Sequence, residues 1–449
     1  MDIVPYVSVY IDASWRDFLV AISKCTVSSV DRKRTEEEIQ KIWTNEANSN
    51  FVLPCLSVRS ALDLFLRVKS FPKGSEIIMS ALNIPDMEKV IRHHGLKIVP
   101  LDVNMETMMP KYELIDCLVT DKTVGILVAP IFGRIFDLEP FVQAAQKHQI
   151  CLIEDNAEAF GGFELGKLGH PKTDISLFSF GPIKFYTAFG GSVVKVRDRK
   201  VYDKMLELYE SYPKQTHSEF LKKILKYSIA GILLNVPCAS KTTIIICRFL
   251  GIDHKKKVVS MLRGFPSDLI QRIRYQPSNA LLHMMLRRFT MFDKTDFGLS
   301  RIKGDYISER LPEGVTQVGM KAEENNYWLF PVIVDNSEEV LKQLNLLGVD
   351  AYRDNVTQLN LIEPDPELGI SHFKHLDRFL THYPHEARYF RDHVLFLPVN
   401  KMVPFAMLDR ICDALERAIQ LCRDSDAKLP QVHRPISGKI RVKRIKSKL

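Results

Sequence analysis

Three side chains of complementary chemistry stand close together in the chain: Asp155 in ICLIEDNAEAFGG, Ser179 in ISLFSF and Lys184 in LFSFGPIKFYTAFGG. Lys184 is set among aromatic neighbours between Gly181-Pro182 and Gly190-Gly191, where an ammonium seldom goes without a partner. Each residue alone has an ordinary explanation: a lysine reaching for water, a turn aspartate at a strand end, a satisfied edge hydroxyl. Together they match what pyridoxal phosphate (PLP) requires. The lysine amine forms an imine with the aldehyde, and a carboxylate keeps the pyridine nitrogen protonated, so that the ring draws charge from a substrate carbanion. The phosphate needs hydroxyls, backbone N–H groups and a helix N-terminus. In CLSVRSALDLFLRV, Ser57 and Ser60 precede a periodic apolar helix suited to that last role.

The elements that must position these residues follow from hydrophobic periodicity. From residue 51 to about 200, the runs SEIIMSA, LKIVPLDV, TVGILVAP and ICLIED read as strands buried on both faces. The amphipathic stretches PDMEKVIRHHG and LEPFVQAAQKHQ between them read as crossover helices. The alternation predicts an α/β domain with a mostly parallel sheet, whose chemistry belongs at the carboxyl ends of its strands. Asp155 and Ser179 fall at two such ends.

The expected organisation is a helical extension over 1–50, a large domain over 51–304, a smaller α+β domain over 305–425 and a basic tail over 426–449. An apolar and basic insertion at about 219–258 carries two apolar bursts, Ile229 to Leu234 and Ile244 to Cys247. Neither burst reaches the ~20 residues of a membrane span, and flanking lysines suggest peripheral contact with a membrane or a partner-buried helical pair.

The 449 residues carry a net charge of +8, but Lys439, Arg441, Lys443, Arg444, Lys446 and Lys448 leave only about +2 for the rest. Nucleic-acid binding is therefore not expected. Eight scattered cysteines without CxxC pairs exclude a zinc motif and point to a reduced compartment. The N-terminal stretch MDIVPYVSVYIDASW lacks the features of a secretory or transit signal, so a cytoplasmic location is expected.

The segments LSVRSAL, FPKGSEIIMSALNIPDM, LIEDNAEAFGGFELGKLGHPKTDISLFSFGPIK, FGGSVVKV, NYWLFPV and FLPV resemble the DegT/DnrJ/EryC1/StrS aminotransferases over roughly Phe51 to Leu421. The resemblance implies a fold-type-I PLP enzyme, mostly acting on nucleotide-linked keto sugars with an amino acid such as glutamate as donor, and a homodimer. It implies that Lys184 is the Schiff-base lysine and proton-transfer base, that Asp155 partners the pyridine nitrogen and that Ser179 holds the phosphate. An apolar setting from Phe178, Phe180 and Phe185 would favour the neutral amine. By position, Arg274 would reach the phosphate of the neighbouring subunit.

Several positions depart from the family pattern. Ser57-Val58-Arg59 stands where Ser-Gly-Thr is usual, with Arg59 able to compensate by charge. Asn83 stands where an aromatic ring often covers the cofactor, and Glu158 where a glutamine usually faces the ring's phenolic oxygen. These departures keep two alternatives open: another PLP reaction such as elimination, or a PLP fold without turnover serving as a membrane-associated or regulatory scaffold. The family's sugar 3-dehydratases usually carry histidine in place of the lysine, and Lys184 argues against that branch.

Overall fold

The computed structural model describes residues 3–26, 31–44, 50–164, 166–252, 262, 268–353, 359–364 and 383–428. The basic residues 439–448 and the lysines at 255–257 lie outside these.

A seven-stranded sheet forms the centre. Its strands are β1 (Phe51–Cys55), β2 (Glu76–Ser80), β4 (Lys97–Leu101), β5 (Thr123–Val128), β7 (Cys151–Asp155), β8 (Ile175–Ser179) and β9 (Ser192–Val196), in the order β1-β9-β8-β7-β5-β2-β4. The pairs β4/β2, β2/β5, β5/β7 and β7/β8 are parallel, and β9 runs against both its neighbours. The aliphatic runs seen in the sequence account for this: β2 and β7 are buried at every position because helices cover both faces.

The short pairs β3 (Leu82–Asn83) with β13 (Asn360–Leu361) and β6 (Arg134–Ile135) with β11 (Glu324–Asn325) tie late segments to early ones. A second, antiparallel sheet orders β10 (Val315–Gln317), β12 (Phe330–Val334) and β14 (Val394–Leu397). The helices Ser337–Leu346 and Phe405–Lys428 accompany it, and Val332, Val340, Leu344, Leu395 and Leu415 form its own core.

The described residues of the first fifty pack against the body. The helix Arg32–Trp43 ends on a fully buried Trp43, whose ring packs against Phe178 and Phe180, and whose carbonyl accepts from the buried Lys195 at 2.9 Å. Upstream, Val4 joins the core of the smaller sheet, and its N–H donates to the Gly348 carbonyl at 3.0 Å.

Candidate active site

A cavity of about 580 Å³ lies at the carboxyl ends of the central strands and is lined by Asp155, Ser179 and Lys184 together. Asp155 ends β7 and Ser179 ends β8, so the adjacent parallel strands deliver the carboxylate and the hydroxyl side by side. Ser57, Val58 and Arg59 enter from the first turn of the helix Val58–Lys69. Ser57 caps that helix by accepting from the Ser60 N–H at 3.2 Å. A helix start presents N–H groups without intrahelical partners, a natural seat for a phosphate.

Lys184 sits in a tightly held turn. Its N–H donates to the Gly181 carbonyl at 3.0 Å, and Ala188 and Gly190 both donate to the Phe180 carbonyl. Trp328 Nε1 donates to the Ile183 carbonyl at 2.8 Å, and Tyr186, at a left-handed φ of 52°, donates its N–H to Asp12 Oδ2 at 3.1 Å. The turn closes on Gly191 with φ 82°, where a Cβ would stand 2.4 Å from Met285 Sδ, so only glycine fits.

The charge setting differs from the expected apolar one. Lys184 Nζ lies 2.9 Å from Glu158 Oε1, with the two side chains only 13% and 11% exposed, and 4.1 Å from the centre of the Trp328 ring. Phe178 and Phe180 turn instead into the core around Trp43, because side chains alternate along a strand and its continuation. Carboxylate and indole both favour the ammonium over the neutral amine.

Asp155 is 5% exposed, and burial pushes its carboxyl up to about 6. Glu158 and Glu154 add to that, while the Ala157 N–H, 3.1 Å away, and Lys184 oppose it. Such a carboxyl gains most from a cationic partner. Two further polar atoms at the cavity are buried without a hydrogen-bond partner among the described residues: Glu158 Oε2 and Asn83 Nδ2, while Asn83 Oδ1 accepts from the Ile84 N–H at 2.7 Å. A ring nitrogen cation answers Asp155, an acceptor edge answers Asn83 Nδ2, and the helix start with Ser57 and Ser179 can seat a phosphate, so these residues fit pyridoxal phosphate; Glu158, a carboxylate where the family usually has glutamine, is the departure.

Arg59 lines the cavity, but its Nη1 is engaged by the buried Asp86 at 2.5 Å. Arg274 does not line it. Its guanidinium makes two bonds of 2.9 Å to Asp63 of the helix Val58–Lys69 in the same chain, and Asp63 also takes His94 at 3.0 Å. Within one chain the fully buried Asp63 holds the Arg274 guanidinium, because an unpaired charge there is costly. Arg272, two residues earlier, lines the cavity together with Lys223 and Lys226 of the helix His217–Asn235. Sequence reading overlooked these three and Trp328; the last stood in the quoted NYWLFPV, while nothing local marked the others.

Residues 34–233 match the model of the DegT/DnrJ/EryC1/StrS aminotransferase family, so the resemblance read from the motifs holds over that segment. GDP-perosamine synthase of Escherichia coli O157:H7 is 29% identical over 193 residues, 42% of this chain and 53% of that protein. The 3-oxo-glucose-6-phosphate:glutamate aminotransferase of Bacillus subtilis is 22% identical over 314 residues, 69% of this chain and 60% of that protein. The chain thus spans little more than half the length of these relatives. Among solved structures, the Escherichia coli GDP-4-keto-6-deoxy-D-mannose-3-dehydratase with bound hydrated PLP superposes with a TM-score of 0.63 at 14% identity, covering 92% of this chain and 100% of that one. The fold is that of the fold-type-I PLP enzymes.

Proposed function

We propose that this chain, whose residues 34–233 carry the DegT/DnrJ/EryC1/StrS match, is a PLP-dependent aminotransferase that moves an amino group from an amino acid such as glutamate to a keto sugar, with nucleotide-linked sugars as the substrate class. The observation that carries this reading is the convergence of Asp155, Ser179 and Lys184 on one cavity beside a helix start. The names of the Escherichia coli and Bacillus subtilis relatives support the sugar and the glutamate.

When bound, the cofactor supplies an aldehyde to exchange amines and a ring that accepts charge from the substrate carbon. The chain's own residues do the rest. Asp155 pairs with the pyridine nitrogen and holds its proton. Ser179, Ser57 and the first-turn N–H groups seat the phosphate, with Arg59 nearby. Lys184 Nζ carries the proton to and from the reacting carbon, and Glu158 and Trp328 hold that nitrogen in place. The large domain over 51–304 provides the site and the domain over 305–425 its cover, in a cytoplasmic homodimer with peripheral membrane contact.

The competing reading, a PLP fold without turnover, draws on the Lys184–Glu158 pair, which stabilises the unreactive ammonium. Loading the purified protein with pyridoxal phosphate and adding glutamate separates the two. A turnover enzyme yields one equivalent of 2-oxoglutarate per site as the visible absorption of the cofactor shifts; a scaffold binds the cofactor and yields none.

A further inference from the structure

The helices His217–Asn235 and Pro237–Phe249 meet at Val236 with a bend of 88°. Neither is long and apolar enough to cross a membrane. The first is also anchored on the protein by its buried Phe220, Ile224, Tyr227, Ala230 and Leu234, so it cannot leave to span a bilayer. Yet its opposite face turns Leu225, Ile229 and Ile232 outward, at 49%, 58% and 44% exposure and at helical spacing. The second helix does the same with Ile245, Ile246 and Phe249, the last 88% exposed.

Charge tells what covers this face. From Phe220 to Ile252 the sequence holds Lys222, Lys223, Lys226, Lys241 and Arg248 and no acidic residue. A second copy of the chain would meet this face with the same face across a twofold axis, setting uncompensated cations against cations. An anionic bilayer complements it: apolar side chains enter the headgroup boundary while Lys222 and Lys241, which do not line the cavity, meet lipid phosphates. We propose that this helix pair docks onto the surface of an anionic membrane. On the reverse side of the first helix, Lys223, Lys226 and Tyr227 line the cavity, so one helix separates the bilayer from the site. The docking does not depend on the chemistry assigned to the cavity.

Vesicle sedimentation of the full-length chain tests this, using phosphatidylcholine alone and equal parts phosphatidylcholine and phosphatidylglycerol. The chain should sediment with the anionic vesicles, and high salt should weaken this without abolishing it. The double variant Ile229→Glu, Phe249→Glu, both positions being exposed, should keep its circular dichroism and lose partitioning by on the order of a hundredfold. Undiminished binding by that variant would assign attachment to other residues, such as the basic 439–448, and overturn the proposal. So would a wild-type chain that ignores anionic vesicles, or a variant that breaks an oligomer while sedimenting as before, which would give the face to a second copy.

Discussion

Lys184 and Glu158 form an ion pair of 2.9 Å inside the cavity, and the second oxygen of that carboxylate, Oε2, has no hydrogen-bond partner among the described residues. A carboxylate at this distance stabilises the ammonium, the form that cannot attack an aldehyde. Glu158→Gln should therefore let Lys184 react at lower pH, moving the midpoint of pyridoxal phosphate capture down. The rate of borohydride-trapped incorporation measured across pH reads this directly. An unmoved midpoint would mean that the pair does not control the amine.

Asp155 carries a different pH signature. Its carboxyl titrates near 6 in the folded protein because burial disfavours its charge, against 3.8 as the ordinary value. Between those values the unfolded chain has lost the proton and the folded chain keeps it, so cofactor-free protein loses stability as pH rises from about 4 to about 6. Asp155→Asn removes that loss and should be more stable than wild type at neutral pH by up to ~3 kcal/mol. Urea unfolding at several pH values measures the difference. Saturating pyridoxal phosphate should reverse the order, since only the carboxylate gains from a ring cation.

Much of this arrangement was legible in the sequence because it is local. Strand ends follow from where aliphatic runs stop, and Asp155 and Ser179 sit at those ends by periodicity alone. What was not legible depends on pairs distant in the chain. Glu158 meets Lys184 only when β7 and β8 lie side by side, and Trp328 joins them from the segment just before β12. The pairing of Arg274 with Asp63 was not legible because the two stand 211 residues apart. In the helical stretch DRKRTEEEIQKIW the buried stripe Thr35, Ile39 and Trp43 is hard to see because charged residues surround it.

Asp63 shows the cost of removing Arg274. Burial alone would raise its carboxyl, but His94 and Arg274 outweigh burial and hold it at about 2. That stabilisation is present above pH 4 and fades only as the pH falls toward 2. Arg274→Ala should destabilise the fold by about 2–4 kcal/mol at neutral pH, while leaving cofactor affinity of the folded protein within about twofold. Arg272→Ala should do the opposite, weakening phosphate-bearing ligands with little change in stability. Denaturation midpoints and pyridoxal phosphate titrations of both variants check the contrast.

The most direct measurement is the site of covalent trapping. Full-length protein saturated with pyridoxal phosphate, reduced with borohydride and digested should carry one pyridoxyl group, on Lys184, and Lys184→Ala should carry none. A label on Lys195, Lys223 or Lys226 instead, or no label in saturated wild type, would contradict the assignment of this cavity as a PLP site.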